Sequence, residues 1–145
     1  MAAADLVLRE ARADDAPQIA ELFAELGYPL TAAEALERLG RGIETVFVAA
    51  DSARLQGLLV ICCHLPFGRT RSIARINAMV VRSQARRRGI GAQLRRKAQE
   101  WARSSGCEGI ELTSGIRPER DAAHRFYVGA GFQRVAYRFW MSLED

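Results

Sequence analysis

Two glycines one residue apart, in Arg86-Arg87-Arg88-Gly89-Ile90-Gly91-Ala92, stand between an apolar run ending in Met79, Val80 and Val81 and a segment whose apolar residues recur at helical spacing. A chain that leaves a strand and enters a helix through such a turn can aim successive N–H groups into one hollow, and the helix adds the positive end of its dipole there. An anion fits that hollow. From Arg82 to Gln99 there is no Asp or Glu, while Arg82, Arg86, Arg87, Arg88, Arg95, Arg96 and Lys97 are all basic, which favours a multiply charged ligand such as a diphosphate. An ordinary turn before a solvated basic helix face explains the same residues, and the glycine pair alone does not separate the two readings.

At 145 residues, 49% hydrophobic and 26% charged, the chain has the size and composition of a soluble domain that buries its own core, and a single domain over residues 1–145 is expected. No apolar stretch nears the roughly 20 residues that cross a bilayer, so no membrane partner is expected. Met1-Ala2-Ala3-Ala4-Asp5 has neither a basic nor an apolar signal region, which makes a cytoplasmic location the expectation. Cys62, Cys63 and Cys107 lack metal-ligand spacing and read as reduced, mostly buried thiols, with no metal expected. The net charge of +4 suits nucleic acid in principle. Seven of the 21 basic residues lie between 82 and 97, leaving 14 against 17 acids elsewhere, and no zinc-ligand or aromatic nucleic-acid motif accompanies them. The expectation is therefore no nucleic-acid partner, with a basic nucleic-acid-binding domain as the weakest alternative.

Along the chain, 6–8 reads as a short strand. Ile19, Leu22, Phe23 and Leu26 mark a helix face behind Asp14 or Asp15 and Pro17, and Gly27-Tyr28-Pro29 ends it. Thr31 and Glu34 form a capping-box pattern for a second helix, stopped at Gly42. Three strands follow at 45–50, 55–64 and 72–81, joined by short turns and hence antiparallel. Ile90, Leu94, Ala98, Trp101 and Ala102 give a long helix over 89–105. A strand at 109–114, a short helix at 119–128 and an apolar, strand-forming run at 135–142 complete the order.

On two motifs in these slots the chain resembles the GNAT superfamily of acyl-CoA-dependent N-acetyltransferases. One is Arg86-x-x-Gly89-x-Gly91; the other is the Ala123-His124-Arg125-Phe126-Tyr127 helix followed by Gly131-Phe132. The resemblance implies an α+β fold, a splayed mixed, mostly antiparallel sheet of six to seven strands flanked by four helices, with homodimer formation left open. It implies an enzyme that transfers an acetyl group from acetyl-CoA to a primary amine of a small molecule, peptide or protein by direct attack in a ternary complex. The pantetheine arm would pair with Met79, Val80 and Val81, and the pyrophosphate would rest on the amides of Arg87, Arg88, Gly89, Ile90, Gly91 and Ala92, with Arg86 and His124 as further cofactor contacts.

In the same resemblance Tyr127 lies near the cofactor sulfur as general acid, a task a phenol suits because it is protonated at neutral pH. Family members often carry glutamate on the strand before the glycine turn; the matching residue here is Asn77, which hydrogen-bonds but cannot accept a proton. The base stays open among a water chain to His64, Glu111 or Glu119 and an amine that arrives neutral. Tyr28, His64 and Glu119 border the expected acceptor pocket. A catalytically weak CoA-binding regulatory module is the alternative that Asn77 raises.

Overall fold

Leucine- and β-branched-rich runs separated by short polar turns make the middle of a sheet in the computed structural model, which describes residues 5–144. Strands β2 (Thr45–Ala50), β3 (Leu55–His64) and β4 (Ile73–Val81) pair antiparallel in sequence order, and β1 (Val7–Glu10) adds antiparallel outside β2. Strand β5 (Gly109–Leu112) takes the far edge, giving the order β1-β2-β3-β4-β5. Glu108 N–H donates to Ser72 O (2.9 Å), and three residues further along each chain Arg75 meets Glu111 (3.3 Å), so β5 runs parallel to β4. A parallel pair needs a crossover, and helix α3 (Ile90–Ser104) supplies it.

The first seven residues of β3 are buried because helices cover both sheet faces. On one face α1 (Ala16–Leu26) and α2 (Ala32–Arg41) press Ile19, Leu22 and Ala35 against Val48, Leu58, Val60 and Val80. On the other, α3 buries Ile90, Leu94, Ala98 and Ala102. A side chain at Gly57 would place its Cβ 3.0 Å from Val80 O and 3.2 Å from Leu94 Cδ1, so only glycine lets helix and sheet approach this closely. Helix α2 starts as its sequence dictates, with Glu34 N–H donating to Thr31 Oγ1 (3.1 Å). Asp15 does not cap α1 with its side chain; it is buried and accepts from Arg9 (2.7 and 3.1 Å) and from Arg12 N–H (2.7 Å), which closes the 3-10 turn Ala13–Asp15 ahead of the helix.

The chain divides into two compact units, Met1–Glu111 and Leu112–Asp145. The second holds helix α4 (Asp121–Gly129), which ends through Gly131 (φ +101°) and a bond from Phe132 N–H to Tyr127 O (3.0 Å). Tyr127 stacks edge-on with Phe126 (5.6 Å) and Phe132 (5.7 Å).

Three expectations are corrected. The sheet is a mixed one of five strands, not a mostly antiparallel one of six to seven. Residues 135–142 form no strand: Val135, Tyr137, Phe139, Trp140 and Met141 are exposed, and strand propensity makes no ladder where no neighbouring backbone pairs with it. The thiols are not mostly buried either. Cys107 is buried, Cys62 is half-buried, and Cys63, at the outer end of β3, is exposed with its Sγ 3.1 Å from that of Cys107. Among the described residues no helix is long and apolar enough to cross a membrane.

Candidate active site

Strand β4 leads into the site. After Val81 the chain makes a 3-10 turn at Ser83–Ala85, passes Arg86 in extended conformation, takes the left-handed region at Arg87 (φ +67°) and again at Gly89 (φ +76°), and starts α3. Left-handed backbone costs a non-glycine residue about 1–2 kcal/mol, so Arg87 holds local strain where N–H groups are turned to one side. Gly89 offers no side-chain cap, and the first intrahelical bond runs from Gln93 N–H to Gly89 O (3.1 Å), which leaves the amides of Ile90, Gly91 and Ala92 ahead of it without helical acceptors. A Cβ at Gly89 would meet no atom within 4 Å, and Arg86, Arg87 and Arg88 are all exposed. Open space, amides without helical acceptors, a helix dipole and three exposed cations suit a diphosphate.

Arg82, grouped with these cations by sequence alone, has another task. It is buried, donating through Nε to Leu55 O (2.9 Å) and through Nη1 to Glu21 of α1 (3.2 Å), while Glu25 accepts from Ser83 N–H (3.0 Å). Burial raises the Glu25 carboxyl, but the Ser83 bonds and the Arg82 and Arg86 charges outweigh it and hold the group below its ordinary value. Two carboxylates of α1 thus pin the start of the turn.

On the α1/α2 side of the sheet lies a cavity of about 220 Å³. Ile19, Phe23, Leu39 and Val60 give it apolar walls, and Arg38, Glu44 and Asn77 bring its polar groups. Asn77 reaches it through a bulge: Ala78 faces Val60 and Ile76 faces Ile61, so Asn77 is an extra residue without a partner in β3. A bulge breaks the alternation of a strand, which is why the consecutive residues Asn77 and Ala78 line one cavity. Asn77 Nδ2 donates to Glu44 Oε2 (2.7 Å) and sits 3.4 Å from Cys62 Sγ.

In the second unit Tyr127 is half-buried; burial raises its phenol above the ordinary value, and the Arg120 charge works against that rise. His124 Nε2 lies 2.7 Å from Gly115 O, tying α4 to the preceding loop.

The profile of the acetyltransferase (GNAT) family matches residues 8–132. This chain belongs to the GNAT acetyltransferase family. Its curated relatives include the aminoalkylphosphonate N-acetyltransferase of Salmonella typhimurium, 39% identical over 71 residues, which span 49% of this chain and 45% of that protein. The match thus takes in just under half the relative's length. Among solved structures, a transcriptional regulator from Bacillus halodurans superposes with a TM-score of 0.82 at 25% identity over 95% of this chain and 99% of the other. An acetyltransferase from Trypanosoma brucei gives 0.81 at 25% identity over 96% and 100%.

GNAT enzymes use acetyl-CoA, and this chain carries the N-acetyltransferase family's sequence and fold. Of the residues the sequence pointed to, β4 and the turn bring Asn77, Met79, Val80, Val81 and 86–92 into one continuous path. Tyr28 is exposed at the end of α1, where Leu30 of the same turn lines the cavity instead. His64 is exposed at the end of β3, 3.9 Å from Glu111. Glu119 lies exposed in the 3-10 turn Pro118–Arg120 before α4. Sequence reasoning missed Glu44 and Arg38. No spacing announces Glu44, whose partner lies 33 residues away across β3, and Arg38 reads as one half of a helical i, i+4 pair with Glu34 (3.4 Å).

Proposed function

We propose that the chain is a single acetyltransferase domain that moves an acetyl group from acetyl-CoA to the primary amine of a small molecule by direct attack in a ternary complex. The observation that carries this reading is the composition of β4. Within five residues it passes from the cavity-lining pair Asn77 and Ala78 to Met79, Val80 and Val81, and the chain then enters the amide cradle. Acceptor and donor sites on one strand are what a ternary complex needs, because the reacting atoms must be held about 3–3.5 Å apart.

The amides of Ile90, Gly91 and Ala92 would fix the diphosphate, with Arg86, Arg87 and Arg88 neutralising it from solvent. Met79, Val80 and Val81 would receive the pantetheine arm as an added strand. Bound there, acetyl-CoA supplies an acyl thioester already activated for attack. Tyr127 would donate the proton to the departing sulfur; its raised phenol stays protonated at neutral pH. Apolar walls admit a compact amine, and Arg38 supplies the cation that an acidic group on it would face. Aminoalkylphosphonates, the substrates named for the Salmonella relative, therefore head the acceptor panel.

The test is release of free thiol from acetyl-CoA with a panel of amines, scored against hydrolysis alone. Release with at least one small amine is expected. Tight CoA binding with no release from any amine would instead support the regulatory module.

A further inference from the structure

Asn77 lines the cavity but cannot accept a proton, so an amine bound there needs a carboxylate from elsewhere. We infer that Glu44 supplies it, and that Glu44 and Asn77 together form the receptor for the acceptor's ammonium group. This rests on the N-acetyltransferase reading and adds to it the residue that handles the amine.

The geometry is specific to this chain. Glu44 precedes β2 by one residue, and β3 separates β2 from β4, yet the bulge at Asn77 lets the amide reach Glu44 Oε2 at 2.7 Å. The other Asn77 contact, 3.4 Å to Cys62 Sγ, uses the same amide nitrogen. With its N–H bonds directed at Glu44 and Cys62, the Asn77 amide is held in one orientation and presents Oδ1 as an acceptor. Both residues are exposed at the cavity wall, so water and an amine can reach them. Two oxygens, one of them charged, match an ammonium with three N–H donors. The apolar surface of Phe23, Leu39 and Val60 then takes the rest of the molecule.

The chemistry balances without further reagents. Glu44 accepts one proton from the ammonium, freeing the nitrogen lone pair. The nitrogen forms a bond to the acyl carbon as the carbon–sulfur bond breaks; the thiolate takes its proton from the Tyr127 phenol, the second proton lost by nitrogen restores that phenol through water, and Glu44 gives its proton to solvent, so one proton is released per turnover. One carboxylate facing apolar walls favours a small monoamine over a polycation, which would need several acids.

A carboxylate swap tests the assignment. Wild type, Glu44→Gln and the double variant Glu44→Gln with Asn77→Glu are compared for kcat/KM on the best amine and for thermal shift with acetyl-CoA. The double variant keeps an amide–carboxylate hydrogen bond with the two groups exchanged. Glu44→Gln is expected to lower kcat/KM by about 100-fold with the acetyl-CoA shift unchanged, and the swap to restore about tenfold of that loss. A Glu44→Gln enzyme within about threefold of wild type overturns the inference, as does a loss that also abolishes the acetyl-CoA shift or a swap no better than the single variant. If wild type itself releases no thiol with any amine, the enzyme reading falls and this one with it; an active wild type beside an insensitive Glu44→Gln overturns this one alone.

Discussion

At Tyr127 the phenol is raised by burial and drawn back by Arg120, which keeps it protonated at neutral pH and suits it to the proton-donor role proposed for it. Removing the hydroxyl removes only the proton donor, because the ring contacts with Phe126 and Phe132 do not involve it. Tyr127→Phe should lower kcat by about 10- to 100-fold while the acetyl-CoA thermal shift persists, and an unchanged kcat would take the acid role away from Tyr127. Asp15 gives a residue-scale prediction about stability. Its carboxyl lies below its ordinary value of 3.8, first because Arg9 bonds it, with burial opposing and the Arg12 amide assisting. A lowered carboxyl contributes stability that is fully present above 3.8 and is lost as pH falls below it. Arg9→Ala, which leaves that buried charge with one backbone donor, should cost about 2 kcal/mol by urea unfolding at pH 7. The gap to wild type should narrow as pH falls below 3.8, because wild type then loses the stability that its lowered carboxyl contributes and the variant has less of it to lose; a gap that widens there would contradict the pairing.

Helix α3 shows how an element is positioned for work. Buried Ile90 and Leu94 fix its first turn against β3, the Arg82 clamp to α1 fixes the turn before it, and its N-terminal amides stay free of side-chain caps. Gly89 is the joint, in left-handed conformation beside open space. A Cβ at Gly89 therefore meets no atom of the protein within 4 Å, but Gly89→Val strains the backbone and puts a side chain where the anion would lie. Acetyl-CoA affinity should fall about tenfold or more, read by titration calorimetry, and unaltered affinity would remove this turn from the binding site. Such elements were legible from sequence wherever short-range rules governed them. The glycine turn, the apolar stripe of α3 and the Thr31–Glu34 cap each draw on neighbours within one or two helical turns. Pairings between distant residues were not legible. The bulge that exposes Asn77 depends on its register with β3, and the Glu44 contact depends on three strands lying side by side. The run at 135–142 misled for the same reason: its residues favour a strand, but a strand also needs a partner, which composition does not encode.

For the whole molecule, the distribution of charge says more than its sum. Basic residues outside 82–97 are outnumbered by acids, and with Arg82 buried against Glu21 the exposed cations where β4 hands over to α3, next to the amide cradle, are Arg86, Arg87 and Arg88. A polyanion that also pairs with a strand edge should therefore stabilise the fold better than one that offers charge alone. Acetyl-CoA has both a diphosphate and an extended arm, AMP has neither the diphosphate nor the arm, and duplex DNA has charge without either. A ligand bound only by the native state at 100 times its Kd adds about 2.7 kcal/mol. For a chain near 150 residues that corresponds to a rise in Tm of about 5–10 °C. Acetyl-CoA and desulfo-CoA should both produce such a shift in a thermal melt, because they share the diphosphate and the arm, while AMP should move Tm by much less. Duplex DNA should bind only at low salt and be displaced by CoA, since both would draw on the same cations. DNA binding that persists at 0.2 M salt and is indifferent to CoA would mean that the arginine cluster serves nucleic acid, and that the cradle beside it is an ordinary helix start.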